Sequence, residues 1–95
     1  MKRPQAEAIL IIDDERVRVT RFEFAPGAET GWHVHGHDYV VTPITTCKML
    51  LEESGGEGRE VIMAPGVAYR REKGIEHNVV NNGDEPMIFV EVELK

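Results

Sequence analysis

Three observations predict an all-β fold for this chain. Short runs rich in β-branched and aromatic residues follow one another along nearly all of its 95 residues. Residues that favour turns separate these runs at the intervals typical of β-sandwiches and barrels. No segment of useful length has the 3.6-residue period of an amphipathic helix. Since this length suits one core, we expect a single domain over residues 1–95, built as an antiparallel barrel of about six to eleven strands.

The first half of the chain contains four expected strands. The runs that form them are 8–12, 17–24, 31–35 and 39–42. The first run ends at the acidic pair Asp13-Asp14, and the second ends at Ala25-Pro26-Gly27. The last two are separated by a short segment that contains Gly36. These residue types take turn conformations readily, so we expect the chain to reverse at each of them.

The second half contains five further expected strands, at 46–52, 59–63, 67–71, 77–81 and 87–94. The glycine-rich segment 54–58 separates the first two, and Asn82-Gly83-Asp84 precedes the last. The last run alternates, with one face formed by Ile88, Val90, Val92 and Leu94 and the other by Met87, Phe89, Glu91 and Glu93. Its first half can be covered on both faces.

Composition excludes several classes of partner. The chain has 17 acids against 11 bases, and no Lys/Arg run resembles a phosphate-binding surface, so we expect no nucleic-acid partner. The longest apolar stretch, residues 8–12, is far too short for a membrane span, and the N-terminus lacks the pattern of a signal peptide. We therefore expect no membrane association and a cytoplasmic location. The single cysteine, Cys47, cannot form an internal disulfide and has the spacing of a buried, inert thiol.

The histidines are the most informative residues. His33, His35 and His37 lie within five consecutive positions, 33–37, and His77 is the only other histidine. On a strand, His33 and His35 would project to the same side, about 7 Å apart along the chain. A catalytic metal site commonly uses three protein ligands and leaves a position open, so His77 is the natural third ligand from the other half of the barrel.

Two alternatives remain open at this point. The histidines could be polar residues on a solvated strand, with no metal. If a metal is present, His37 lies between Gly36 and Asp38, which indicate a turn, so we expect a loop residue there and not a fourth ligand. A closed four-ligand site that includes His37 would indicate a structural metal.

Two segments resemble the motifs of the cupin family. The segment Gly27-Ala28-Glu29-Thr30-Gly31-Trp32-His33-Val34-His35 is similar to the first motif, in which HxH follows a glycine. Gly66, Gly74, His77 and Asn81 fall where the second motif has its glycines, histidine and asparagine, although Glu72 stands where proline is usual. The resemblance implies a cupin-type double-stranded β-helix, or jelly-roll barrel. It also implies His33, His35 and His77 as metal ligands.

The chain departs from the family at the usual glutamate ligand. Tyr39 and Val40 occupy the positions where that carboxylate is expected. Three neutral imidazoles leave the charge of a divalent ion uncompensated, so the site should favour an anionic ligand. This arrangement resembles the three-histidine iron cupins that open β-diketones or oxidise thiols with dioxygen. Tyr39 is our candidate catalytic residue, as a hydrogen-bond donor to that anion, and its alternative role is packing in the barrel.

These features lead to a functional hypothesis. We expect a metal-dependent, dioxygenase-like enzyme that acts on a small anionic or chelating metabolite, with iron, nickel, zinc or manganese as the divalent ion. The alternative is a non-catalytic module that binds or senses a small molecule. The chain also resembles small stand-alone cupins associated with β-alanine catabolism in two segments, GWHVHGHDYVV and DEPMIFVEVELK.

Three further expectations concern surface residues. The apolar segment 8–12 on a barrel edge suggests a homodimer in which a second subunit covers it. Trp32 should leave the metal face and pack under a flanking strand or at a subunit contact. Arg70 and Arg71 could form a carboxylate clamp near the barrel mouth, although paired arginines on an edge strand are more often solvated.

Overall fold

The expected all-β architecture is confirmed by the computed structural model, which describes residues 2–54, 56 and 58–95. Nine strands follow one another in chain order: β1 Glu7–Asp13, β2 Val17–Phe24, β3 His33–Val34, β4 Asp38–Pro43, β5 Cys47–Glu53, β6 Arg59–Met63, β7 Tyr69–Arg71, β8 Glu76–Asn81 and β9 Met87–Leu94. The described residues contain no helix, and therefore none that is long and apolar enough to cross a membrane. The turn expected over 54–58 includes Gly55 and Glu57, which lie outside the described residues.

The strands form two antiparallel sheets. One has the order β1-β2-β9-β4-β7 and the other β3-β8-β5-β6. Between the sheets lies a core built around Phe24, Tyr39, Met49, Met87 and Phe89, with the ring centroids of Phe24 and Phe89 only 5.4 Å apart. Aligned sheets that bury one face each in this way form a jelly-roll sandwich.

Cys47 belongs to this core and is fully buried, as expected. Burial raises the pKa of its thiol, and the sulfur contacts the carbonyl oxygens of Thr45 and Ile88 at 3.4 and 3.5 Å. A protonated, inaccessible thiol of this kind is unreactive.

Strand β9 resolves a question that its sequence left open. Met87, Phe89 and Glu91 are buried, whereas Val90 and Val92 on the opposite face are only half-buried. The face that carries two glutamates therefore points into the barrel. This orientation brings a carboxylate to the interior at Glu91.

Strand β1 is an edge strand with an apolar exposed surface. It pairs with β2 along its length, with a register shift between Leu10 and Ile12. Leu10, Ile11 and Ile12 are each about half exposed, at 58%, 52% and 46%. Trp32, which comes just before β3, is also 52% exposed, so the first of its two expected positions, under a flanking strand, is wrong, because β3 is the outermost strand of its sheet. The second, at a subunit contact, stays a prediction. The homodimer stays a prediction.

Asn81 links the turn that follows β2 to the turn that precedes β9. Its side chain is buried, and Nδ2 donates to the carbonyl oxygens of Phe24, Ala25 and Glu85 at 3.2, 3.3 and 2.8 Å. Its Oδ1 accepts from the backbone N–H of Gly83 at 3.0 Å. One amide therefore satisfies backbone groups of two separate turns, which accounts for an asparagine at this position.

Replacing Asn81 by alanine should destabilise the fold by about 2–4 kcal/mol, because it leaves several buried backbone groups without a partner. Urea denaturation measures this loss. Asn82→Ala is the matched control, since the side chain of Asn82 is exposed and, among the described residues, bonds only Glu60; its effect should stay within about 0.5 kcal/mol. Equal losses in the two variants would contradict this role for Asn81.

Candidate metal centre

Three histidines meet where β3 pairs with β8. Antiparallel pairing places His33 of β3 directly opposite His77 of β8. His35 follows immediately after β3, and its backbone is held by hydrogen bonds from its N–H to the carbonyl of Ile75 and from the N–H of Gly74 to its own carbonyl, at 2.9 and 2.8 Å. Gly74 has φ 97°, a conformation that L side chains rarely adopt. This glycine lets the chain turn tightly enough to bring His35 beside His77.

Asn78, the residue after His77, holds the segment that carries His33. Its Oδ1 accepts from the backbone N–H of Gly31 at 2.9 Å. Its Nδ2 donates to Glu29 and Glu52 at 2.8 and 2.9 Å. Since Asn78 is buried, these bonds fix the loop before β3 to the neighbouring strand.

The imidazole Nε2 atoms of the three histidines converge. The Nε2 of His35 lies 3.0 Å from that of His33 and 2.9 Å from that of His77. All three rings offer a ligating nitrogen within 4.8 Å of the others. The structure therefore brings together the three residues predicted as ligands, from two distant parts of the sequence.

The donor set fits a divalent metal ion. The Nδ1 of His33 lies 2.8 Å from the carbonyl oxygen of Gly31 and donates to it, so its Nε2 carries the lone pair. With metal–nitrogen distances near 2.0–2.1 Å, nitrogens at right angles are about 2.9–3.0 Å apart and tetrahedral ones about 3.3–3.4 Å. The two observed separations match the right-angle arrangement.

Burial favours the neutral form of two of the histidines. The pKa of His35 is lowered to about 3, first by burial and then by the neighbouring His33. The pKa of His77 is lowered to about 4, again mainly by burial. Both imidazoles are therefore neutral at physiological pH, which is the form that binds metal.

Tyr39 lies against the cluster. Its ring stacks on His35, with centroids 3.8 Å apart and an interplanar angle of 18°. The side chain is 1% exposed, and its hydroxyl has no hydrogen-bond partner among the described residues. Burial raises the pKa of this phenol, so it remains a hydrogen-bond donor. Its packing role is thus evident, and its catalytic role stays a prediction.

Glu91 is a carboxylate beside the cluster that the sequence did not single out. Its Oε1 lies 3.9 Å from the Nδ1 of His35, and the residue is 8% exposed. Burial, and secondarily Glu93, raise its pKa to about 7. The only sequence signal was the alternation of β9, in which Glu91 shares a face with Met87 and Phe89.

The space around the histidines has two parts. A cavity of about 20 Å³, lined by His33, Tyr39 and His77 among others, has room for one water molecule or ion but not for an organic ligand. Outside it, a groove of about 390 Å³ runs between β3 and the β2–β9 pair and reaches His33 and His35. The site is therefore accessible from one side of the barrel.

The other candidate ligands lie apart from the cluster. His37 borders the groove, where its Nδ1 is 3.4 Å from the Oε2 of Glu93, and it does not join the three converging nitrogens. Asp38 is exposed and accepts from the backbone N–H of Lys73 at 2.8 Å. His37 therefore lies in the bend before β4, as expected, and outside the histidine cluster.

The metal-free protein should lose stability as the pH falls from about 6.5 to about 5. His35 and His77 stay neutral in the native state. In the unfolded chain each has the ordinary histidine pKa of 6.5 and becomes protonated below it, so unfolding takes up protons. Glu91 acts in the opposite sense: its raised pKa keeps it protonated in the native state above pH 4.5, where the unfolded chain is ionised. The net uptake is about one proton, or about 1.4 kcal/mol per pH unit.

Urea denaturation between pH 5.0 and 6.5, in the presence of a chelator, measures this slope. Glu91→Gln removes the opposing contribution of Glu91. The proton uptake on unfolding should then rise to nearly two, and the free energy of unfolding should change by about 2.5 kcal/mol per pH unit. A stability that stays constant or rises as the pH falls would show that His35 and His77 are not buried as neutral imidazoles.

Comparison with known proteins places this geometry in a family. Residues 20–93 match the family model described as a cupin domain. The chain is 50% identical over 93 residues to the beta-alanine degradation protein BauB of Pseudomonas aeruginosa, across 98% of this chain and 97% of that protein. The crystal structure of a cupin domain from Bordetella pertussis superposes with a TM-score of 0.96 at 50% identity, over 100% of this chain and 98% of the other. The polyketide cyclase RemF from Streptomyces resistomycificus has the same fold, with a TM-score of 0.72 at 24% identity over 99% of this chain and 70% of its own.

The resemblance noted in the two sequence motifs is therefore confirmed by the whole chain. The two-sheet barrel and the position of the three histidines within it agree with that assignment. This chain belongs to the cupin family.

Proposed function

We propose that the chain binds a divalent metal ion through His33, His35 and His77 and acts as a metal-dependent enzyme on a small anionic metabolite. One observation carries this proposal: three buried or half-buried imidazoles direct their Nε2 atoms toward one another at the end of an open groove. Converging lone pairs repel one another unless a cation or proton lies between them. Because only three ligands are offered, positions stay open for a ligand from solution.

The spacing of the nitrogens supports a six-coordinate ion. Separations of 3.0 and 2.9 Å suit ligands at right angles, which iron(II), nickel and manganese accept readily. Zinc is also bound by three protein ligands in open sites, so iron, nickel, zinc and manganese all stay candidates.

The charges around the site support an anionic ligand. A divalent ion bound here would act as a Lewis acid toward an anionic oxygen and would lower the pKa of a bound water. No ionised carboxylate is among the three ligands, and the charge of the ion is not neutralised by them. Tyr39 would keep its proton on Oη and donate a hydrogen bond to the anion.

The relatives support a narrower ligand class. A protein that is 50% identical over nearly the whole chain is named for beta-alanine degradation. The ligand we propose is accordingly a small carboxylic acid from that type of catabolism, acted on in the cytoplasm. An oxygen-dependent reaction would follow if the ion is iron(II).

Replacing any one of His33, His35 or His77 by alanine should remove most of the bound metal, because two imidazoles hold a divalent ion weakly. Elemental analysis of untagged protein after dialysis gives the stoichiometry. His37→Ala is the matched control, and it should keep full occupancy. The opposite outcome, in which His77→Ala retains the metal and His37→Ala loses it, would overturn the ligand assignment.

Replacing Tyr39 by phenylalanine should leave metal content unchanged, because the ring still stacks on His35. The variant should bind an anionic ligand about tenfold more weakly, since one hydrogen bond to a charged group is lost. Its stability should be equal to the wild type or slightly higher, because a buried hydroxyl without a partner disappears. Oxygen consumption by the iron-loaded protein with candidate acids, together with titration of azide, provides the readout. Unchanged affinity and turnover would restrict Tyr39 to packing.

A further inference from the structure

The N-terminal segment 3–6 lies beside the loop that leads into β3. Two backbone hydrogen bonds hold it there. The N–H of Glu29 donates to the carbonyl oxygen of Pro4 at 2.9 Å, and the N–H of Ala6 donates to the carbonyl oxygen of Glu29 at 2.8 Å. Because these bonds use only the backbone, the side chain of Arg3 can be replaced without releasing the segment.

The side chain of Arg3 binds two carboxylates. Its Nη1 donates to the Oε1 of Glu52 at 2.8 Å and to the Oε1 of Glu29 at 3.2 Å, and its Nη2 donates to the Oε2 of Glu52 at 3.3 Å. The same two Oε1 atoms accept from the Nδ2 of Asn78, at 2.8 and 2.9 Å. The guanidinium and the amide therefore hold the two carboxylates between them.

The charge of Arg3 makes this arrangement possible. Two carboxylates that accept from one amide nitrogen repel each other unless a cation lies beside them. Among the described residues, Arg3 is the cation that contacts both. Its hydrogen bond, followed by that of Asn78, lowers the pKa of Glu52. Without the guanidinium, one carboxylate would turn to solvent and the amide of Asn78 would lose an acceptor.

The other side of the Asn78 amide leads to the histidines. Its Oδ1 accepts from the backbone N–H of Gly31 at 2.9 Å, and the carbonyl oxygen of Gly31 accepts from the Nδ1 of His33 at 2.8 Å. A proton held on Nδ1 leaves the lone pair on Nε2 and fixes the direction of the ring. A continuous chain of hydrogen bonds thus connects Arg3 with a candidate metal ligand.

We propose that Arg3 is a positioning residue for His33. By neutralising the two glutamates it keeps the Asn78 amide oriented with Oδ1 toward Gly31, so that His33 keeps its proton on Nδ1 and directs Nε2 toward the metal. Arg3 acts through these groups and contacts neither metal nor substrate. The effect on metal affinity rests on the metal site proposed above, whereas the effect on the tautomer of His33 does not.

The tautomer of His33 tests this proposal in the metal-free protein. Long-range proton–nitrogen NMR spectra, recorded with a chelator at about pH 8.5, above the ordinary histidine pKa, distinguish Nδ1–H from Nε2–H imidazoles. The signal of His33 is the one that His33→Ala removes. We expect the Nδ1–H form in the wild type and a mixture of both forms in Arg3→Gln.

Calorimetric titration with nickel gives the second readout. Arg3→Gln should bind nickel about tenfold more weakly, because the ring of His33 is no longer held in the ligating orientation. Arg3→Lys keeps the charge but not the paired donors, so its loss should be intermediate. Arg21→Gln is the matched control: it removes an exposed arginine that pairs with Glu23 on β2, and it should change neither the tautomer nor the nickel affinity.

Glu52→Gln separates positioning from a general loss of stability. It removes one negative charge but keeps an amide oxygen that can accept from Asn78. The double variant Arg3→Gln/Glu52→Gln should therefore recover the wild-type tautomer and most of the nickel affinity, although it restores no salt bridge. An unchanged tautomer or unchanged nickel affinity in Arg3→Gln, or no recovery in the double variant, would overturn the proposal. Failure of the wild type to bind nickel, with the tautomer changes as expected, would instead overturn the metal site and leave the positioning of His33 supported.

Discussion

The pairing of β3 with β8 is the constraint on which the site depends. It consists of only two residue pairs, His33 with His77 and Val34 with Glu76. A slip of one residue would turn His33 away from the barrel, since successive side chains on a strand point to opposite faces. So short a ladder does not fix its register alone. Backbone hydrogen bonds of His35 with Ile75 and Gly74 extend the pairing on one side, and the buried side chain of Asn78 binds the backbone of Gly31 on the other. The residue next to one candidate ligand thus holds the loop that leads to another.

Burial of polar groups is the second feature of the site. Two of the three histidines, the hydroxyl of Tyr39 and the carboxylate of Glu91 all lie inside the barrel, and the Nδ1 of His77 and the Oη of Tyr39 have no partner among the described residues. Such groups cost stability unless they are satisfied. A bound cation would offset part of this cost at the three Nε2 atoms. Local departures from the rules of stable packing are expected where a protein has kept them for function.

The fold and the histidine cluster were predictable from the sequence because both have short-range signals. The nine strands follow from alternation and turn residues, and the HxH pair places two imidazoles on one face. The inward position of Glu91 was not predictable. The face of β9 that looks more apolar in sequence, with Ile88, Val90 and Val92, is the outer one. Which face is buried depends on how the two sheets pack, and the sequence of a single strand does not determine that packing.

The surroundings of Tyr39 and Trp32 were likewise not predictable, because they depend on where neighbouring strands lie. The sequence places Tyr39 at a position where the family motif has its carboxylate, but it does not fix the direction of the side chain. Its stacking on His35 depends on the relative position of β3 and β4, which belong to different sheets. Trp32 was expected to be covered because it leaves the metal face, yet β3 is the outermost strand of its sheet. A large apolar side chain there stays exposed unless a second molecule covers it.

We propose that three imidazoles, and no carboxylate, hold the metal. Crystals grown with nickel or manganese, with anomalous diffraction recorded at the metal absorption edge, test it most directly. We expect one anomalous peak, about 2.0–2.2 Å from the Nε2 atoms of His33, His35 and His77. A peak coordinated by Glu91, or one located between His37 and Glu93, would contradict it.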